Sequence, residues 1–321
     1  MQLLWIINMP IVGASQTSIQ NAVNILKNNG VVSFPTETVY GLGCDTRNKT
    51  AISRVYALKN RPNNNPMIAH VLDVKAAKTI TTGWDNRCDL LATTFWPGPL
   101  TIILARTPSV PKEACGGLDT IAVRSPHHKV ARELLIAFGS TISAPSANLS
   151  GFTSPTTAAH VHDDFGDSLY ILDGGACRDG IESTVLSMVK DPKILRLGAV
   201  SQQEISEIIG EVTRVDSITQ SESPGTKGKH YAPKTKLVLR NRKEIVQDTN
   251  NQTVYLLLEG GEIAGHNTIQ MPKTATEYAK KLYGAIREAD KLNPQLICVE
   301  TPPTTPAWVA VNDRLTRASS S

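Results

Sequence analysis

Lys59 and Arg61, followed by Pro62 and the run Asn63, Asn64, Asn65, Pro66, bring a compact cation and a planar fork to a restricted backbone. Such a pair suits adjacent phosphate oxygens. It equally suits a solvated helix end, where cations complement the dipole, and that is the commoner use of surface cations. A second cluster, Ser143-Ala-Pro-Ser146-Ala-Asn148-Leu-Ser150-Gly151, strings hydroxyls, an amide and backbone N–H groups along a Pro/Gly loop. It can wrap an anion or nucleotide, or satisfy its own backbone as a Ser/Asn turn. Its place between an apolar strand and the helix start at TSPTTAAHV favours the ligand. The stretch from Pro35 to Asp45 carries Thr36, Glu37, Thr38 and two glycines that let the backbone run close to a ligand. Gly180-Ile-Glu182-Ser183-Thr184 enters a strand after a Gly-rich turn, and Arg124, ending TIAVR, is a candidate carboxylate clamp.

Other chemistries lack their residues. There is no G-x-S-x-G elbow, no G-x-G-x-x-G fingerprint and no P-loop lysine motif. His127 and His128 are adjacent, and His160-x-His162 lacks a third ligand, which argues against a histidine metal site. Cys44 sits in the glycine turn with no base identifiable from sequence and reads as a packed thiol.

Short elements must hold these residues. SIQNAVNILKNNG places Ile19, Val23 and Leu26 on one helical face and stops at Gly30; VVSFPT is a buried strand. TAISRVYALKN predicts a helix ending before Pro62, with Lys59 and Arg61 projecting from its end. Strand-like MIAHVL, TIILAR, TIAVR and TISAPSAN alternate with helix-like NRCDLLATTF and KVARELLIAFG, and further short strands fall at 185–186 and 194–197. The turns after these strands carry nearly all the candidate residues. From 213 to 235 the periodicity fades through SESPGTKGKHYAPKTK into a linker. KLVLR, TVYLLLEGG, ATEYAKKLYGAIREADKL and QLICVE then predict a small parallel α/β unit. The fold class is α/β of the α+β type, divided into 1–212, a linker at 213–235, and 236–321.

Composition bounds the function. With 321 residues the chain exceeds what one core usually organises, and 40% apolar with 19% charged residues suits a folded enzyme throughout. A net charge of +4 is too small for constitutive nucleic-acid binding. Five scattered cysteines without a C-x-x-C pair argue against a disulfide or zinc framework and for a reducing, cytoplasmic setting. MQLLWIINMP is apolar but short and reads as a lead-in segment rather than a signal peptide. No apolar stretch approaches the roughly 20 residues that span a bilayer, so no membrane partner is expected.

Taken together and in order, FPTETVYGLGCD, Lys59-x-Arg61-Pro with NNNPMIAHV, Trp96-Pro-Gly-Pro-Leu-Thr, Arg124, SAPSANLSG and GIEST resemble the YrdC-like threonylcarbamoyl-AMP synthase family over about residues 15–210. The SPGTKGKHYAP linker and the C-terminal unit resemble its longer, two-domain form, with a Rossmann-like second domain. The resemblance implies a twisted mixed sheet with helices and a large, positively lined concave cleft. It implies condensation of L-threonine, bicarbonate and ATP into threonylcarbamoyl-AMP and pyrophosphate, for modification of an adenosine in the tRNA anticodon loop. On this sequence it implies that Lys59, Asn63, Ser143, Gly151 and Arg196 contact ATP, that Arg61 supports the phosphates, and that Thr120, Ser146 and Asn148 neighbour the nucleotide. Thr36, His70, Arg124, Thr141 and Ser183 would enclose threonine, and His230 and Tyr231 would cover the cleft as a lid. Mg2+ is implied as the counterion bound with ATP. A separate threonylcarbamoyl transferase is the implied downstream partner, with weak direct contact to tRNA. Gly228 departs from the aromatic residue usual two positions before the His-Tyr pair, and the C-terminal segment keeps only the Asn312-x-Arg314-Leu315 end of a Gly-rich pattern. Two other readings fit parts of the sequence: a basic cleft that holds structured RNA without chemistry, and a carbamoyltransferase-type accessory domain.

Overall fold

The computed structural model describes residues 11–215, 230–247 and 249–319. Gly228 lies outside them. Among the described residues the first unit is built on a twelve-stranded mixed sheet. Its order from one edge is Ile11–Gly13, Tyr170–Asp173, Val32–Phe34, Gly41–Asp45, Ile142–Ala144, Ile68–His70, Thr120–Arg124, Leu100–Arg106, Thr184–Ser187, Lys193–Arg196 and Thr213–Arg214. Thr81–Thr82 pairs beside Leu100–Arg106. The strands read as near-continuous apolar runs because helices cover both faces.

On one face, the helix Gln16–Lys27 buries Ile19, Ala22, Val23 and Leu26 against Val130, Leu134, Leu135 and Phe138 of the helix Lys129–Phe138. The i, i+3, i+4, i+7 spacing makes that stripe, and the Ser15 hydroxyl caps the helix by accepting from the Ser18 N–H at 3.1 Å. On the other face, the helix Lys49–Lys59 buries Ala51, Ile52, Val55 and Tyr56, and Asn86–Phe95 buries Cys88 and Leu91.

The sequence expectation is corrected at Gly41–Asp45, which is a strand rather than a turn. It pairs antiparallel with Val32–Phe34 and Ile142–Ala144. Gly43 has no side chain because the Phe34 ring lies where one would go: a Cβ there would sit 2.6 Å from Phe34 Cε1.

The second unit is a four-stranded, all-parallel sheet ordered Leu237–Arg240, Leu296–Glu300, Thr253–Leu258, Asn267–Met271. The helix Ala275–Lys291 buries Tyr278, Leu282, Tyr283 and Ile286 on it, and a helix missing from the sequence reading, Val309–Ser319, adds Val311 and Leu315. The same long helix grips the first unit. Arg287 pairs with Asp164 at 2.7 Å and donates to the Thr153 carbonyl at 2.6 Å, and Lys291 meets Asp163 at 2.7 Å. No helix among the described residues is long and apolar enough to cross a membrane.

Candidate active site

Register decides which candidates meet. Ile68–His70 runs parallel to Thr120–Arg124 with His70 opposite Arg124, and antiparallel to Ile142–Ala144 with His70 opposite Ile142. The strand end bearing Arg124 thus lies beside His70, with Thr141 one residue before Ile142. Thr120 falls at the other end of its strand, against Ala105, and the structure does not bring it to this cluster.

Arg124 is buried at the centre of a built network. Its Nη2 lies 2.7 Å from Glu37 Oε1, Nη1 donates to Thr38 Oγ1 at 2.9 Å, and Nε donates to the Gly98 carbonyl at 3.2 Å. Burial by itself raises the Glu37 carboxyl, but Arg124 and the backbone N–H of His127 outweigh it and hold the group below its ordinary range. A guanidinium has five N–H bonds, so N–H groups on both terminal nitrogens stay available to an incoming carboxylate. Thr36 is spent on its own turn: its hydroxyl donates to the Val39 carbonyl at 2.7 Å and accepts from the Thr38 and Val39 N–H groups.

Lys59 and Arg61 do not project into solvent; they are 1% and 7% exposed, which excludes the solvated helix end. Asn60 takes the left-handed conformation at φ +50° and turns the chain inward after the helix. The Lys59 ammonium then donates to the Ser146 carbonyl at 2.6 Å and to the Asn148 carbonyl, pinning the serine-asparagine turn. Burial, then the neighbouring Arg61, lowers its pKa well below the ordinary lysine value. Arg61 donates from Nε to the Asn65 carbonyl at 3.2 Å and from Nη2 to the Pro66 carbonyl at 2.9 Å, and burial brings it down to about 10, still a cation at neutral pH. Asn63 is exposed on the turn that precedes these carbonyls.

Ser183 and Arg196 share one network. The Ser183 carbonyl accepts from Arg196 Nε at 3.1 Å and Nη2 at 3.0 Å, while its hydroxyl meets Thr101 Oγ1 at 2.7 Å. Ser143 is buried in its strand and donates to Thr46 Oγ1 at 3.1 Å. The Gly151 carbonyl accepts from the Ala232 N–H at 3.1 Å, and Thr153 donates to the Tyr231 carbonyl at 3.3 Å; these bonds dock His230 and Tyr231 on the first unit.

A cavity results, lined by Thr36, Thr38, Arg61, Ile68, His70, Arg124, Ser146, Glu182, Arg196, His230 and Tyr231, among others. Buried polar atoms without a hydrogen-bond partner among the described residues gather in and beside it: His70 Nδ1, Thr141 Oγ1, Asn148 Oδ1, His230 Nδ1 and the Tyr231 hydroxyl. Unmet buried polar atoms are rare in folded proteins, and those of His70, His230 and Tyr231 in the cavity lining offer a ligand hydrogen-bond partners. His70 and His230 are both brought down to about 3, first by burial and then by Arg124 and Arg61 respectively, so both are neutral at pH 7.

Residues 24–198 match the family model described as "Telomere recombination", and residues 200–320 match that of the "Threonylcarbamoyl-AMP synthase, C-terminal domain". A threonylcarbamoyl-AMP synthase of Pyrococcus abyssi is 35% identical over 319 residues, covering 94% of each chain. The chain belongs to the threonylcarbamoyl-AMP synthase family. A Bacillus subtilis member is 36% identical over 94% of this chain and 92% of its own. The crystal structure of P. abyssi Sua5 complexed with L-threonine has a TM-score of 0.91 at 33% identity over 97% of both chains.

Three residues to which the sequence reading gave no role line or support the candidate site. Glu37 is the buried partner of Arg124. Glu182 lines the cavity and accepts from the Ser154 hydroxyl at 2.7 Å, the Tyr283 hydroxyl at 2.9 Å and Arg314 Nε at 2.8 Å. Arg314 comes from the C-terminal unit. Burial by itself raises the Glu182 carboxyl; Arg314, then Arg196 and Ser154, bring it down to about 2. Glu37 and Glu182 stand within the quoted motifs, but their ion-pair partners lie 87 and 132 positions away and no local pattern announces them.

Histidine and cysteine chemistry finds no assembled site. His162 pairs with Asp167 at 3.0 Å, His160 turns to Thr156, and burial pushes the Cys44 thiol up. Among the described residues no group of three or more His, Cys, Asp or Glu could hold a metal.

Proposed function

We propose that this family member is an L-threonylcarbamoyladenylate synthase. It condenses L-threonine, bicarbonate-derived carbon dioxide and ATP to threonylcarbamoyl-AMP and pyrophosphate, for the threonylcarbamoyladenosine modification of tRNA. The observation that carries the reading is one cavity with two guanidinium centres, Arg124 beside His70 and Arg61 with Arg196, and with unmet polar atoms on His70, His230 and Tyr231. Two anions that repel one another, a carboxylate and a triphosphate, fit two cationic centres.

In this reading Arg124 takes the threonine carboxylate on its remaining N–H groups, while neutral His70, Thr141 and the threonine turn enclose the rest. The unprotonated amine adds to the carbon of CO2 and loses a proton to give the carbamate. A carbamate oxygen attacks the α-phosphorus, the bond to the bridging oxygen breaks, and pyrophosphate leaves. Arg61 and Arg196 offset the phosphate charge, Ser146, Asn148 and Gly151 border the nucleotide, and His230 with Tyr231 keep water from a labile adenylate. Lys59 acts through the Ser146–Asn148 turn that it holds. Mg2+ belongs to the nucleotide substrate in this scheme. Glu37 and Glu182 are engaged by Arg124 and Arg314, so the cation's ligands come from the phosphates. A separate transferase consumes the product, and five buried cysteines with no disulfide among them support a cytoplasmic setting.

Pyrophosphate release from magnesium-ATP tests the reading. It should require threonine and bicarbonate together. Release that is unchanged without threonine, or absent from the full mixture, would overturn it.

A further inference from the structure

Glu182 is an electrostatic obstacle within a nucleotide site. It is 6% exposed and lines the same cavity as Arg61 and Arg196, where an unpaired carboxylate would repel a triphosphate and would itself be costly to bury. The first unit supplies it with Ser154 and the nearby Arg196; the rest comes from the C-terminal unit, as Tyr283 and Arg314. The Arg314 side chain is 0% exposed. Besides Glu182, it pairs with Asp313 at 2.7 Å and reaches the Leu197 carbonyl at 2.7 Å, one residue past Arg196, and the Tyr231 ring, whose centroid lies 5.0 Å from its guanidinium carbon. Tyr231 is stacked in turn on Tyr283 with centroids 5.8 Å apart. One guanidinium therefore touches the obstructive carboxylate, the backbone beside a cavity arginine, and a ring of the cavity wall.

Resting on the synthase reading, we propose that Arg314 is a positioning residue for ATP: it cancels the charge of Glu182, so that the C-terminal unit completes the phosphate side of the active site. Arg124 and His70 share no hydrogen bond or ion pair with Arg314 or Glu182, so the effect on threonine binding should be the smaller one.

The test is steady-state pyrophosphate release by the full chain, with ATP and threonine varied in turn. Arg314→Met should raise KM for ATP about tenfold or more while KM for threonine stays within about threefold. Because that variant strands a buried carboxylate, Arg314→Met/Glu182→Gln is made alongside it, removing both charges. The double variant should return KM for ATP to within about threefold of the unsubstituted enzyme. If it keeps the raised KM, or if Arg314→Met lowers kcat with both KM values unchanged, Arg314 is only a structural ion pair and the proposal fails. Should Arg314→Met not fold, Arg314→Gln, which keeps a hydrogen bond to Glu182 but no charge, takes its place with the same expected outcomes. An unsubstituted enzyme that releases no pyrophosphate would instead sink the synthase reading.

Discussion

Lys59 shows what burial does to a residue whose type suggests a phosphate contact. Its ammonium is taken by two backbone carbonyls of the turn that carries Ser146 and Asn148, and it is absent from the cavity lining. Lys59→Met leaves both carbonyls without their donor. The expected cost is roughly 2 kcal/mol or more, because each unsatisfied buried acceptor carries its own desolvation penalty. Thermal melting should drop and pyrophosphate release should fall with it, whereas a lysine that met only phosphate would lose activity at unchanged stability. Lys59→Arg should not restore either property, since the slot is closed to a broader guanidinium.

Among elements, the strands set which side chains converge, and the loops between them are held by close backbone contact. The loop after Lys193–Arg196 lies directly on the Glu182–Thr184 backbone. A Cβ on Gly198 would stand 2.3 Å from the Ser183 carbonyl carbon and the Thr184 nitrogen, and 2.4 Å from the Glu182 oxygen. None of these backbone atoms can give way cheaply. Gly198→Ala should therefore cost about 3 kcal/mol in urea unfolding and depress pyrophosphate release at temperatures where the fold is intact, because it separates Arg196 from Ser183. The helix Lys49–Lys59 was legible from its apolar spacing and from Pro62. The direction of Lys59 and Arg61 was not, because a left-handed Asn60 and the bond from the Arg61 N–H to the Tyr56 carbonyl turn both cations inward.

At the scale of the whole molecule, the second unit is anchored to the first through Arg287, Lys291 and Arg314. It also fixes the end of the linker, since Asp290 accepts from the Lys234 and Thr235 N–H groups at 2.9 Å each. The buried site makes stability depend on acid. His70 and His230 are about 3 in the fold against 6.5 when exposed, so between those values the unfolded chain binds more protons. Stability is thus fully present above about pH 6.5, falls by about 1.4 kcal/mol per pH unit for each histidine below it, and levels off under about pH 3. Glu182, at about 2 in the fold against 4.5, adds a loss in the same direction between those two values. Urea unfolding between pH 7 and 4 should show this slope, and His70→Gln should flatten it. An equal slope in that variant would remove His70 from the account.

The amino-acid sequence by itself determined the elements with strong apolar periodicity, the two-part division into sheets, and the ordered motifs that carry the family resemblance. These are properties of spacing along the chain. Tertiary structure alone decided that Arg124 pairs with Glu37, that Lys59 holds a turn, that Asn63 and Thr120 stand outside the cavity lining, and that Arg314 reaches Glu182. It also supplied the strands Tyr170–Asp173 and Asn267–Met271, which local pattern did not single out. The physical reason is the same in each case: a buried charge is settled by whichever distant partner the sheet register brings within about 3 Å, and that partner leaves no mark in the neighbouring sequence.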